Sequence, residues 1–182
     1  MLKSPFTQRK PEDLRILLFY PNLHMAALMP QSIGIFTSIL KNAGFTSLDL
    51  FDCTFYQDID KINTGRNTHE ERVSNKQSRA HSVEDWDKKG GKAKLGIKDD
   101  FVKKVQTFKP DLIICSSLES TYLLALQLLN SVPKKDKNYK TLFGGVFPTY
   151  AADICIKDEN IDYVCRGEGE GAIVDICNRL IS

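Results

Sequence analysis

Three short clusters hold most of the residues that could do chemistry. Ser116 and Ser117 close one apolar run ahead of Leu118. Gly144-Gly145 close a second, and Gly167-Glu168-Gly169-Glu170 follow a third. Hydroxyls beside glycine-rich turns suit a grip on a ring nitrogen or a phosphate, because a chain without side chains lets a ligand pass close to the backbone. The same residues have plainer uses. Ser116 or Ser117 can cap a helix by satisfying its first free amides. Gly144-Gly145 can be merely a tight turn, and Glu168 and Glu170 place favourable charge at a helix N-terminus. Thr149 either caps the next helix or binds a polar ligand group, and Arg166 is placed to pair with one of the two glutamates. Those carboxylates make the last cluster a poor phosphate cradle. His24, in Asn22-Leu23-His24-Met25, is either a loop histidine bonded to backbone or water, or an imidazole that touches a ligand or metal. His69 and His81 sit in a polar stretch without a helix-spaced partner.

The elements around these clusters alternate between strand and helix. Leu14–Tyr20 is a continuous apolar run, as expected of a parallel strand covered on both faces. Gln31–Asn42 carries Ile33, Ile35, Phe36, Ile39 and Leu40 in a helical pattern with a broad buried face, and Gly44 is its stop. Ser47–Phe51 is a second strand. The polar insert 57–100 interrupts the alternation, with a helix expected at Ser82–Lys88 and Trp86 as its large aromatic. Ile97–Phe108 then reads as a helix through Phe101, Val102, Val105 and Phe108, closed by Lys109-Pro110. Asp111 opens the third strand, and Leu118–Val132 is a leucine-rich helix. Lys140–Phe143 and Ile161–Cys165 are strands with a helix at Pro148–Lys157 between them. Gly171–Ile181 is the last helix. The order predicts an α/β fold, a doubly wound, five-stranded parallel sheet in the flavodoxin-like (Rossmann-like) order 2-1-3-4-5. Residues 1–13 are expected to be a flexible arm and 14–182 one domain. Ligands of such sheets bind beyond the carboxyl ends of the strands, where all three clusters fall.

Composition excludes little. The 182 residues are 42% hydrophobic and 26% charged with a net charge of +2, which favours neither nucleic acid nor a membrane surface. No apolar run approaches a membrane span, and the first residues lack the apolar core of a signal peptide, so the cytoplasm is the default location. The five cysteines form no CxxC pair, and Cys115, Cys165 and Cys177 lie in apolar runs as buried thiols. GxGxxG, GxxxxGK[ST] and GxSxG are absent. No acidic cluster follows the first strand, as a phosphorylated receiver domain would need.

Lys109-Pro110-Asp111, Gly144-Gly145-Val146-Phe147-Pro148-Thr149, Ile161-Asp162-Tyr163-Val164 and Arg166-Gly167-Glu168-Gly169-Glu170 together carry a resemblance. From about Leu14 to Leu180 the chain resembles the cobalamin (vitamin B12)-binding domain at the N-terminus of B12-dependent radical SAM enzymes. The resemblance implies that the corrin rests over the carboxyl ends of the strands while the nucleotide tail enters the fold. It matches Ser116 and Leu118 to a serine-x-leucine element near the tail, and Gly144 and Gly145 to glycines that make room for it. Val146, Phe147, Pro148 and Thr149 are matched to the tail pocket or corrin rim. Asn22, His24, Met25, Ser117, Gly167 and Glu168 complete the expected cofactor contacts. Asn22-Leu23-His24-Met25-Ala26-Ala27 echoes the Asp-x-His-x-x-Gly ligand motif of methionine-synthase-like domains without its aspartate or glycine, so His24 is either an axial cobalt ligand or none. Met25 and Leu28 could instead cover the lower corrin face. The Cys-x3-Cys-x2-Cys cluster motif is absent. The resemblance therefore implies a module that is not active alone. It would serve a radical SAM catalytic domain, in cis or in trans, that holds the 4Fe-4S cluster, SAM and a small-molecule substrate. A stand-alone B12 sensor or methyl carrier, and a flavodoxin-like module without B12, are the other readings.

Overall fold

The computed structural model describes residues 9–23, 30–61 and 94–182. His24, Met25, Leu28, His69, His81, Trp86 and the helix expected at Ser82–Lys88 lie outside them. Five strands, β1 (Ile16–Tyr20), β2 (Leu48–Asp52), β3 (Leu112–Ser116), β4 (Lys140–Gly144) and β5 (Tyr163–Val164), form one sheet in the order β2-β1-β3-β4-β5. All four pairings are parallel, as the alternation with helices predicts. β1 and β3 lie side by side while the chain leaves them in opposite directions, so the switch point falls between them.

Side chains alternate across each strand, and the alternation sorts the core into two layers. Leu17, Phe19, Ile113, Cys115 and Phe143 point to one face. There they meet α2 (Ile97–Phe108) and α3 (Glu119–Ser131) through Phe101, Val105, Leu124 and Leu128. The Phe101 ring centre lies 4.9 Å from that of Phe19 in a tilted contact and 5.0 Å from that of Phe51 in an edge-to-face one. Ile16, Leu18, Ile114 and Leu142 point to the other face, under α1 (Gln31–Asn42) and α6 (Glu170–Ile181). The helix boundaries follow local chemistry. α1 ends in a Schellman motif: Gly44, at φ +91°, donates to the Lys41 carbonyl, Phe45 donates to that of Leu40, and both apolar residues are buried together. α2 begins where both Gly96 and Ile97 amides donate to the Asp58 carboxylate at 2.8 and 3.1 Å.

Several expectations need correction. β1 starts at Ile16 rather than Leu14. Residues 9–13 are not a loose arm: Pro11–Asp13 form a 3-10 turn, and Arg9 donates its amide to Ile181 and its guanidinium to Asp111 at 2.6 Å. Asp111 does not enter β3. Its carboxylate also takes the Arg15 amide at 2.8 Å, tying the start of β3 to that of β1. β5 is two residues long, not five. Its expected first residues exchange ladder bonds for side-chain ones: Asp162 accepts the Thr141 amide at 2.9 Å and donates its own to Thr141 Oγ1 at 3.0 Å, while that hydroxyl donates to the Asn160 carbonyl. The helix expected at Pro148–Lys157 begins earlier and breaks into α4 (Val146–Tyr150) and α5 (Ala152–Cys155). Pro148 is the third residue of α4, where a missing amide loses no bond; Ala151, at φ −122° and ψ 34°, separates the two. Ile35 is 46% exposed, off the buried face, and Cys165 is only half-buried.

Burial alone would raise the Asp111 pKa, but hydrogen bonds from Arg9 and Arg15 outweigh it and hold the carboxyl below its ordinary range. A depressed folded-state pKa contributes stability that is complete above the unfolded value of about 4. It is lost as pH falls through the folded value. Asp111→Asn is therefore expected to cost about 1–2 kcal/mol at neutral pH, the scale of partly exposed charge-assisted bonds. Below about pH 4 its stability should fall less steeply than that of the parent. Urea midpoints at neutral and acidic pH check both.

Candidate functional site

Residues on one face of β3 and β4 change in size toward the carboxyl edge. Ile114 and Leu142 are core residues, but the next positions on that face are Ser116 and Gly144. The layer under α1 and α6 thus loses its filling where the strands end. A cleft of about 260 Å³ opens there. Its floor is Ile114, Ser116, Leu142, Gly144 and Cys165; its walls are Gln31, Ser32, Ile35 and Phe36 of α1 and Gly167–Glu170 and Ile173 at the start of α6. Phe36 and Gly169 close the contact between the walls: a Cβ on Gly169 would come within 3.2 Å of the Phe36 ring.

The two glycines after β4 have different reasons to be glycine. Gly145 has φ +96° and ψ −169°, a region open essentially to glycine alone. A Cβ there would lie 2.7 Å from the Ser117 carbonyl oxygen, so its cause is the packing of two loops. At Gly144 a Cβ would meet nothing closer than Cys165 Cβ, at 3.6 Å. The fold has room for a side chain at Gly144, and the vacant volume belongs to the cleft.

The hydroxyls divide similarly. Neither serine caps α3. The N-cap is Leu118, whose amide donates to Thr121 Oγ1 at 3.1 Å. Ser116 Oγ lines the cleft and makes no hydrogen bond among the described residues. Ser117 Oγ is buried without a hydrogen-bond partner among the described residues. Thr149 is fully engaged: its hydroxyl donates to the Gly145 carbonyl at 2.8 Å and accepts the Gly167 amide at 3.0 Å. It thereby clamps the two glycine turns that border the cleft. Thr149→Val is expected to destabilise the domain by about 1–2 kcal/mol and Thr149→Ser to recover most of the loss; urea midpoints of the two variants check this.

Other expected contacts stand elsewhere. Phe147 packs on Tyr122 with ring centres 4.6 Å apart, on the α2/α3 face, and Pro148 is buried; neither lines the cleft. Val146 and Leu118 are more than half exposed and stand on the loops at the carboxyl edge. Asn22 is buried and donates to Thr54 Oγ1 at 2.9 Å, and Thr54 in turn donates to Asp52 at 2.6 Å, which binds the turns after β1 and β2 together. Arg166 makes no ion pair with Glu168 or Glu170 among the described residues. The α1 wall was missed, although the strand order itself places the first and last helices on one face.

A B12 binding domain family model matches residues 76–176, more than half of the chain. This chain belongs to the B12-binding domain family. Over 80 residues it is 31% identical to an anaerobic magnesium-protoporphyrin IX monomethyl ester cyclase of Synechocystis sp., covering 42% of this chain and 16% of that protein. The fold is that of part of the radical S-adenosylmethionine methyltransferase TsrM from Kitasatospora setae, with a TM-score of 0.58 and 13% identity over 91% of this chain and 25% of that one. This B12-binding module thus spans about a quarter or less of the length of either. Among its described residues no group of three or more His, Cys, Asp or Glu side chains is arranged to hold a metal ion, and no helix is long and apolar enough to cross a membrane.

The residues present fit a cobalamin tail. The cleft is slightly smaller than the ~300–1,000 Å³ typical of whole small-molecule sites, so it suits one planar ring system and not a corrin. It offers an apolar floor, an unengaged hydroxyl on Ser116 and a face left bare at Gly144.

Proposed function

We propose that this module holds cobalamin with its nucleotide tail in the cleft between α1 and α6 and its corrin over the carboxyl edge, and presents it to a separate radical SAM domain. The open floor at Ser116 and Gly144 is the observation that carries this reading. Cobalt in bound cobalamin supplies a site for methyl transfer or radical chemistry. The chain's own residues do the holding: Ser116 offers its hydroxyl to the tail, Gly144 and Gly145 shape the slot and the turn above it, and Thr149 keeps the Gly145 and Gly167 turns at fixed separation. Ile35, Leu118 and Val146 supply exposed apolar surface for the corrin rim, with Ser117, Phe147 and Pro148 supporting the loops from behind. Gly167 and Glu168 border the mouth, and Asn22 steadies the turn that leads to His24 and Met25.

The iron–sulfur cluster, SAM and substrate belong, in this reading, to the partner domain. Membership of the B12-binding family, the radical SAM methyltransferase that shares the fold, and the small share of both relatives that the chain spans all support such a partner. Five free cysteines suit a reducing compartment such as the cytoplasm.

The test is direct. The protein is mixed with hydroxocobalamin or methylcobalamin and passed through a sizing column while the visible spectrum is followed. Co-elution with a base-off spectrum is the expected result; free passage of both corrinoids under oxidising and reducing conditions would overturn the proposal. In the bound complex, His24→Ala shifts the cobalt spectrum if the imidazole is a ligand, and an unchanged spectrum removes it from that role.

A further inference from the structure

The polar and apolar linings of the cleft are sorted by depth. A helix that follows a strand of a parallel sheet starts at the carboxyl edge, so the first residues of α1 and α6 stand at the mouth and the next turn lies deeper. Gln31, Ser32, Glu168 and Glu170 belong to the mouth. Beneath them the slot is lined by Phe36, Ile114, Leu142, Cys165 and Ile173. The backbone around it is largely spent. The Gly144 carbonyl accepts the Ser117 amide, that of Gly169 the Ile173 amide and that of Gly145 the Thr149 hydroxyl. The Gly167 amide donates to Thr149, and the Cys165 thiol donates to the Glu168 carbonyl at 3.6 Å. A ring that enters therefore meets one unengaged hydroxyl, that of Ser116 beside Gly145, and apolar side chains below it.

Resting on the cobalamin reading above, we propose that the slot sorts cobamides by the polarity of the lower base, admitting bases whose far ring is hydrocarbon and discriminating against purines. In dimethylbenzimidazole both nitrogens sit on the five-membered ring. One carries the ribose, and the other, once released from cobalt, accepts from Ser116. The six-membered ring with its two methyl groups is hydrocarbon and faces Phe36 and the floor. Adenine instead carries an amino donor and two ring acceptors on its six-membered ring. Water satisfies all three outside, and the apolar depth of the slot satisfies none. A polar group that loses water without gaining a partner is costly, whereas methyl groups gain from the same transfer.

The experiment titrates the protein with three methyl-corrinoids, namely cobalamin, its adenine-tailed counterpart and tail-less cobinamide, and follows the visible spectrum. Cobalamin is expected to bind about tenfold more tightly than the adenine-tailed form, the scale of one buried donor left unpaired. Its more basic nitrogen gives up the stronger bond to cobalt on binding, so the measured ratio is a lower limit. Cys165→Ser puts into the apolar depth a hydroxyl that can keep the bond to Glu168 and still accept from the amine. It should narrow the ratio to about threefold or less. Equal affinities in the parent protein, tighter binding of the adenine-tailed form, or a ratio that Cys165→Ser leaves unmoved would overturn the sorting and leave the cobalamin reading standing. Cobinamide that binds as tightly as cobalamin would take the tail out of the slot, and failure of all three to bind would remove the cobalamin reading itself. The parent ratio decides the question even if the variant does not fold.

Discussion

Gly145→Ala is expected to destabilise the domain by about 3 kcal/mol and to abolish cobalamin binding with it. Two effects add. A side chain at φ +96° and ψ −169° costs about 1–3 kcal/mol in backbone strain. The new methyl also falls 2.7 Å from the Ser117 carbonyl oxygen and 2.9 Å from its nitrogen, and neither backbone atom can retreat cheaply. Ser117 is held on both sides, donating its amide to Gly144 and accepting that of Phe147. The Gly145 carbonyl also receives the Thr149 hydroxyl, so displacing the turn loosens the clamp across the cleft. Urea denaturation measures the first loss and spectral titration with hydroxocobalamin the second. A variant of parental stability would show that the turn relaxes freely.

The neighbouring substitution separates binding from folding. Gly144→Leu should weaken cobalamin roughly 100-fold or more, about 2.8 kcal/mol, while changing stability by less than about 1 kcal/mol. The backbone at Gly144 is ordinary strand, and its first added carbon meets Cys165 at the normal contact distance of 3.6 Å. The remaining leucine carbons enter a cleft of about 260 Å³ and occupy the space that the tail needs. Unchanged affinity would mean that the tail lies elsewhere. The contrast between adjacent glycines, one fatal to the turn and one a plug, is the sharpest check on the slot.

What could be read from residue order alone was what periodicity controls. The helices at Gln31–Asn42 and Ile97–Phe108 end where expected because Gly44 and Lys109-Pro110 stop them locally, and the strand order follows from the alternation of apolar runs with helices. The misreadings arise where a side chain takes over a backbone bond. Asp162 and Thr141 replace the first rungs of β5, and the start of α3 is closed by Thr121 accepting the Leu118 amide rather than by a serine cap. The site was legible in the same measure. The strand-end residues Ser116, Gly144, Gly167 and Glu168 do converge on one cleft. Phe147 turns to the other side of the sheet against Tyr122, and Pro148 is buried within α4, so neither lines the cleft. Cys165, Phe36 and Glu170 enter the cleft through tertiary packing of α1 on α6, which no local pattern encodes.

The walls of the cleft come from residues 31–36 and 167–173, far apart in sequence. Until α6 has docked against α1, half of the cleft does not exist. A nascent or truncated chain lacking that helix therefore has no competent slot, and occupancy reports on completion of the whole domain. By mass action, a molecule seated between these elements holds α1 and α6 together, adding stability that grows with the logarithm of its free concentration. Cofactor supply would in that way set how long the fully assembled domain persists.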